Sequence, residues 1–199
     1  MRTGWLFITD FGDTAVTLPL ALLTFAFLAG ARQTRTALCW GFAVIGCAAA
    51  IGVAKILLTA CGPGQLAEIG RLRSPSGHAG MSVVVYGGLI LLIGRGAAPR
   101  RRRLLNASVA LLLLAIAVSR PVLLTHSTVE VLLGLAIGGA ALGSLAGVLR
   151  RWPPQQLPTV WLAVSAALLV ALLHGTRWPA ERAVRGAAGL FHAAFSWCN

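Results

Sequence analysis

Charge is scarce in this chain. Asp, Glu, Lys and Arg make up 11% of its 199 residues, against roughly 25% in a soluble domain. There are five carboxylates and a single lysine, Lys55. With 57% hydrophobic residues and a mean hydropathy of +0.82, this shortage excludes an ordinary soluble protein and points to an integral membrane protein. So few carboxylates do not build a two-metal site, and no Cys/His cluster suggests zinc. The four cysteines, Cys39, Cys47, Cys61 and Cys198, show neither metal-ligand spacing nor a disulfide framework. Inside an apolar span, Cys39 and Cys47 behave as small hydrophobes. Long low-complexity segments and internal repeats are also missing, and the length is that of one domain, residues 1–199.

What the chain has in quantity is apolar runs edged with arginine. Six spans have close to the 17–25 residues that cross a bilayer as a helix: Thr14–Gly30, Thr36–Ala60, His78–Gly94, Leu104–Ser119, His126–Leu149 and Pro158–His174. The fourth is short, with Arg103 and Arg120 placed to snorkel at its ends. Ala29-Gly30-Ala31 resembles a signal cleavage site, but Asp10 and Asp13 outweigh Arg2 before it, so the first span is read as retained. The tail from Pro179 to Trp197 places Val184, Ala188, Phe191 and Phe195 on one helical face and Arg182, Arg185 and His192 on the other. That pattern suits either an interfacial amphipathic helix within residues 178–199 or packing on the bundle. The expected fold is all-α: a polytopic bundle of six transmembrane helices plus this amphipathic helix.

The net charge of +12 comes from 16 arginines and Lys55 against the five acids. Nucleic acid is not the expected partner, because the arginines bracket apolar spans rather than line one helix face. Arg32 and Arg35, then Arg95 and Arg100 to Arg103, then Arg150 and Arg151 fall in connections on one side. The positive-inside tendency makes that side cytoplasmic. In the fifth span Gly139, Gly143 and Gly147 recur every fourth residue, with Gly134 and Gly138 as an offset pair. Small residues at this spacing predict close helix packing within the bundle, with a dimer interface as the less favoured alternative.

Ionisable groups that a bilayer tolerates poorly gather at the opposite edge. Pro75-Ser76-Gly77-His78 opens the third span. Ser76 suits a helix N-cap, Gly77 lets an anion approach the backbone, and the helix N-terminus favours a phosphate there. His78 is placed to give a proton to a leaving oxygen. His126 and Glu130, four apart, share a helix face. A carboxylate there fixes the imidazole tautomer and leaves the other ring nitrogen free to attack. Arg120 offers a planar fork to phosphate. Lys55, at the far end of the preceding span, either snorkels or meets the same anion. Read singly, each feature also has a purely structural explanation. Together they describe a phosphate site with a histidine nucleophile.

In their order and spacing these residues resemble the type-2 phosphatidic-acid phosphatase superfamily, membrane lipid phosphate phosphatases related to vanadium haloperoxidases. Its second motif is Pro-Ser-Gly-His, present at Pro75 to His78. Its third is Ser-Arg, five residues, His, three residues and Asp; this chain has Ser119, Arg120 and His126, with Glu130 in place of aspartate. Its first is a lysine followed after six residues by Arg-Pro; here Lys55 is followed by Gly62-Pro63. The resemblance covers Lys55 to Glu130. It implies His126 as the nucleophile, Glu130 as its orienting partner and His78 as the acid for the leaving group. It further implies Lys55, Arg120, Ser76 and Gly77 as the phosphate cradle. Gly62 removes one guanidinium, and Arg73, or else Arg71, is the expected replacement.

The expected function is hydrolysis of a lipid phosphate or pyrophosphate, with no cofactor and no metal. Substrate candidates are an isoprenoid pyrophosphate carrier, phosphatidylglycerol phosphate and phosphatidic acid, the short loops favouring the first. The expected place is a bacterial inner (plasma) membrane, with the site facing the periplasm. A phosphotransferase using the same phosphohistidine, and a non-catalytic lipid-binding or transport protein, are the alternatives. Oligomeric state is not legible in the sequence.

Overall fold

The computed structural model describes residues 2–60, 74–153, 157–178 and 186–187. The elements are all helical: α1 (Arg2–Asp10), α2 (Thr14–Gly30), α3 (Thr34–Ala60), α4 (Gly77–Ile93), a 3-10 turn (Gly94–Gly96), α5 (Pro99–Val122), α6 (Thr128–Arg151) and α7 (Thr159–Leu173). No strand occurs among the described residues.

Local chemistry sets the helix starts. Asp13 caps α2 by accepting from the Ala15 N–H at 2.8 Å. Ser76 caps α4, and Ser127 with Glu130 forms a reciprocal capping box at α6. Pro99 opens α5, where its missing N–H costs nothing. α2, α4 and α7 are apolar on all sides, as lipid-facing or fully enclosed helices are.

Five segments are long and apolar enough to cross a membrane: Arg2–Gly30, Thr34–Leu58, Gly77–Gly96, Pro99–Val122 and Thr128–Arg151. Among the described residues the expected sixth span corresponds to a shorter apolar helix, α7. α7 has 15 residues, about 22 Å of helix against a hydrocarbon core of about 30 Å. The first apolar segment gains a helix that the hydropathy pattern did not separate, since α1 precedes α2 across the Phe11–Asp13 turn. The fourth span is not short, because Arg100 to Arg103 continue the helix beyond the apolar run. The amphipathic helix expected within residues 178–199 lies almost wholly outside the described residues.

The bundle is organised around α4, which buries Val84 and Val85 completely and packs against α2, α3, α5, α6 and α7. Trp40 of α3 is buried in the same core and donates its indole N–H to the Ala21 carbonyl at 2.9 Å. The outside is apolar too: Phe42 is 75% and Leu111 68% exposed. Water would penalise such a surface, and a bilayer does not. The chain is therefore a membrane protein.

The glycines divide differently from the expectation. A Cβ on Gly134 would stand 2.4 Å from the Ser76 carbonyl oxygen, and one on Gly138 2.4 Å from that of Gly80. This offset pair seats α6 against α4. At Gly139, Gly143 and Gly147 a Cβ would meet nothing within 4 Å, so that stripe is not the packing face.

Candidate active site

The start of α6 is tied down by Glu130, which is 5% exposed. Its Oε2 accepts from the Ser127 N–H at 2.9 Å and lies 3.0 Å from His126 Nδ1; its Oε1 accepts from the Ser74 N–H at 2.8 Å. Its backbone carbonyl accepts from the Ser76 N–H at 2.9 Å. One residue thus joins the loop before α4 to the start of α6. A carboxylate only accepts, so Nδ1 carries the imidazole proton and Nε2 keeps its lone pair. His126 is not on the helix, as the four-residue spacing implied. It precedes α6, in the turn that follows α5. The contact with Glu130 holds because the capping box turns the carboxylate back over the helix end.

This geometry accounts for glutamate where the family motif has aspartate. The added methylene lets one carboxylate reach Ser74, Ser127 and His126 together.

α4 begins beside it. Ser76 is fully buried, and its hydroxyl accepts from the Ala79 N–H at 3.5 Å. From α3, the Lys55 ammonium comes to 3.9 Å from where a Cβ on Gly77 would be. Lys55 is 6% exposed, so it does not snorkel to open water. Arg120, at the end of α5, is buried and donates from Nη1 to the Thr9 hydroxyl at 2.7 Å. Its carbonyl takes the N–H groups of Thr125 and His126, and so closes α5 and fixes the turn that carries His126. Both imidazoles, His78 and His126, lie within electrostatic reach of Lys55 and Arg120. The structure therefore brings together His78, His126, Glu130, Lys55, Arg120, Ser76 and Gly77. Arg73, Arg71 and Gly62 lie outside the described residues.

Sequence reasoning missed the contribution of the N-terminal segment. His78 Nε2 is 3.5 Å from Asp13 Oδ2. The other oxygen of Asp13 holds the Ala15 N–H and, at 3.3 Å, the Trp178 N–H. Arg177 pairs with Asp10 through two contacts of 2.8 and 3.1 Å, which pushes the guanidinium further above its ordinary value. Thr9 meets Arg120. A signal existed: an aspartate directly before an apolar run reads as an N-cap, and any carboxylate at a membrane edge is a functional candidate.

The N-termini of α4 and α6 converge here with a partial positive charge, and the cationic side chains of Lys55 and Arg120 share the site with the carboxylates of Asp13 and Glu130. Burial pushes the His126 imidazole below its ordinary value; the charges of Arg120 and Lys55 act in the same direction, and the Glu130 hydrogen bond opposes them. The balance of these effects favours the neutral imidazole. Among the described residues no three His, Cys, Asp or Glu side chains form a metal-binding group.

Fold and site define a class: a helical membrane protein whose helix ends enclose two histidines, each beside a carboxylate, together with Lys55 and Arg120. The family model described as the PAP2 superfamily matches residues 38–157, and the chain belongs to that superfamily. Its members are phosphatases or hydrolases of phosphate esters, and membership points to a membrane-associated phosphatase. No curated protein and no solved structure matches the chain. The matched region contains Lys55 to Glu130 and leaves Asp13 outside it.

Proposed function

We propose that this protein hydrolyses a lipid phosphate or pyrophosphate through a phosphohistidine. The observation that carries the reading is the His126–Glu130 pair, with Nδ1 held at 3.0 Å and two cations beside it. His126 Nε2 attacks phosphorus, the P–O bond to the lipid breaks, and His78 gives its proton to the departing oxygen. Water then attacks the phosphohistidine, the P–N bond breaks, and inorganic phosphate leaves. Lys55, Arg120 and the N–H groups at the start of α4 neutralise the equatorial oxygens, which is most of what phosphoryl transfer asks of a protein. Asp13, 3.5 Å from His78 Nε2, is placed to stabilise positive charge on that imidazole. Arg73 is proposed to supply the guanidinium missing at Gly62.

Substrate classes follow from chemistry: an isoprenoid pyrophosphate carrier, phosphatidylglycerol phosphate or phosphatidic acid. The arginine-rich connections support a site facing the extracytoplasmic side of a bacterial inner membrane. The test uses purified protein in detergent with labelled lipid phosphates. Wild type is expected to release phosphate without added divalent metal, to be inhibited by vanadate, and to carry label stable to an alkaline quench. His126→Ala is expected to lose both release and label. Wild-type turnover in that variant overturns the mechanism. Label passing to a second lipid rather than to water indicates a phosphotransferase.

A further inference from the structure

The end of the bundle opposite the active site carries an unbalanced charge. Its connections and the helix turns flanking them hold nine arginines and no carboxylate; the five acids, Asp10, Asp13, Glu68, Glu130 and Glu181, all fall elsewhere in the sequence. Counter-charge for this end must come from outside those segments. Three of the arginines do not simply fan into solvent. Arg95, Arg102 and Arg150, with Asn106, line a concave pocket of about 400 Å³ between α4, α5 and α6. Arg95 is anchored there by donating to the Leu149 carbonyl at the end of α6.

The pocket has an apolar continuation. A groove of about 390 Å³ shares Ile90, Leu91, Asn106 and Ala146 with it and runs along the same three helices to Leu113 and Leu142. Asn106 to Leu113 is seven residues of α5, about 10 Å of depth. The groove stays open because its α6 wall includes Gly139 and Gly143, where a Cβ would meet nothing. The glycine stripe that does not pack against α4 therefore has a place: it leaves a channel beneath the arginines.

We propose that this pocket and groove bind an anionic phospholipid of the leaflet opposite the active site. Its phosphate lies among Arg95, Arg102 and Arg150, and the start of one acyl chain lies in the groove. Charge complementarity identifies the headgroup, since a cationic pocket at the membrane boundary selects anionic lipid. Polarity order identifies the amphiphile: arginines and asparagine at the membrane edge, then leucine, isoleucine and glycine toward the bilayer centre. The site is separate from the catalytic one, because the 17 residues of α4, about 25 Å of helix, lie between His78 and the Arg95 turn. It is also independent of the catalytic reading.

The test is lipid binding to the whole purified protein, read by native mass spectrometry and by the shift in thermal unfolding in micelles. Phosphatidylglycerol is compared with phosphatidylcholine, and glycerol phosphate and inorganic phosphate serve as headgroup-only probes. Phosphatidylglycerol is expected to bind at least tenfold more tightly than phosphatidylcholine, and the headgroup-only probes far more weakly than the lipid. Each Arg→Gln change at 95, 102 or 150 is expected to weaken the anionic lipid about fivefold. Arg102→Lys, which keeps the charge, is expected to lose less and serves as the folding control. Gly143→Leu is expected to fill the groove and weaken both lipids. His126→Ala is expected to leave binding intact. Equal affinity for the two lipids, a preference surviving the triple Arg→Gln variant, or tight binding of inorganic phosphate at these arginines overturns the proposal. Loss of binding in His126→Ala also overturns it, by assigning the lipid to the active site.

Discussion

Asp13→Asn separates the proton-donating role proposed for His78 from the architecture around it. Asparagine keeps an oxygen for the Ala15 N–H, and Asn and Asp cap helices about equally well, so α2 should start as before. What is lost is the negative charge 3.5 Å from His78 Nε2. At an effective dielectric of about 20, a full pair at that distance attracts by about 5 kcal/mol. Asp13 and His78 are both mostly removed from water, with 10% and 19% of their side chains exposed, so desolvation cancels a large part of this. A charge-assisted hydrogen bond keeps about 1.5–3 kcal/mol, which corresponds to a slowing of about 10- to 150-fold in the step where His78 gives up its proton. The assay compares two substrates on one preparation. A lipid monophosphate leaves as an alkoxide and needs the proton. An aryl phosphate with an acidic phenol leaves without it. Asp13→Asn is expected to slow the first by the stated factor and the second by less than about threefold. His78→Ala should show the same pattern, and in the double variant the losses should not add, because both remove one function. Equal losses on the two substrates would mean that Asp13 acts only through the fold. No loss on either would mean that the contact with His78 has no part in the reaction.

Other expectations follow from the same contacts. Glu130→Asp, although it restores the residue common in the family motif, shortens the reach to Ser74 and Ser127 and is expected to lower kcat/KM about tenfold or more; unchanged kinetics would show that His126 alone needs the carboxylate. Gly138→Ala meets the Gly80 carbonyl oxygen at 2.4 Å and is expected to cost about 1–3 kcal/mol, seen as a lower unfolding temperature in detergent. Gly147→Ala, with open space around it, should be near neutral, and equal effects at the two positions would refute the packing assignment. Because His126 is held below its ordinary value of 6.5 by burial and by Arg120 and Lys55, its reactive neutral form should persist below pH 6.5 and vanish as pH falls further. The acid limb of kcat/KM should therefore lie below 6.5. Glu130→Gln, which removes the opposing contact, should move that limb lower still, and a limb above 6.5 in wild type contradicts the assignment.

The site was legible in sequence where its residues are local. Ser76 to His78 lie within three positions and mark a capped helix start, and His126 with Glu130 lie within one turn. Their chemical types are rare at membrane edges and so stand out. The contact of Lys55 with the start of α4 was suggested only by its uniqueness, since 22 positions separate it from Gly77. Asp13 was visible as a charge but not as a partner of His78, 65 positions away, because hydrogen-bond partners across a bundle leave no periodic trace. The glycines show the same limit. Their spacing announced small-residue faces, but two faces of α6 carry glycine, and only the packed bundle distinguishes the one against α4 from the one lining a groove.

The sequence by itself determined that the chain enters a membrane, which edges carry arginine and which carry the histidine motifs, and which family it belongs to. These depend on hydropathy, charge and short motifs, which are one-dimensional properties. The tertiary structure decided where the helices begin and end: α7 has 15 residues, and α6 starts only after His126, which sits in a turn rather than on a helix. It also decided that glutamate at 130 binds three donors at once and that the N-terminal turn contributes a carboxylate to the second histidine. Each of these depends on where a helix end stops in space relative to another, and that is fixed by packing against α4 rather than by any local run of residues.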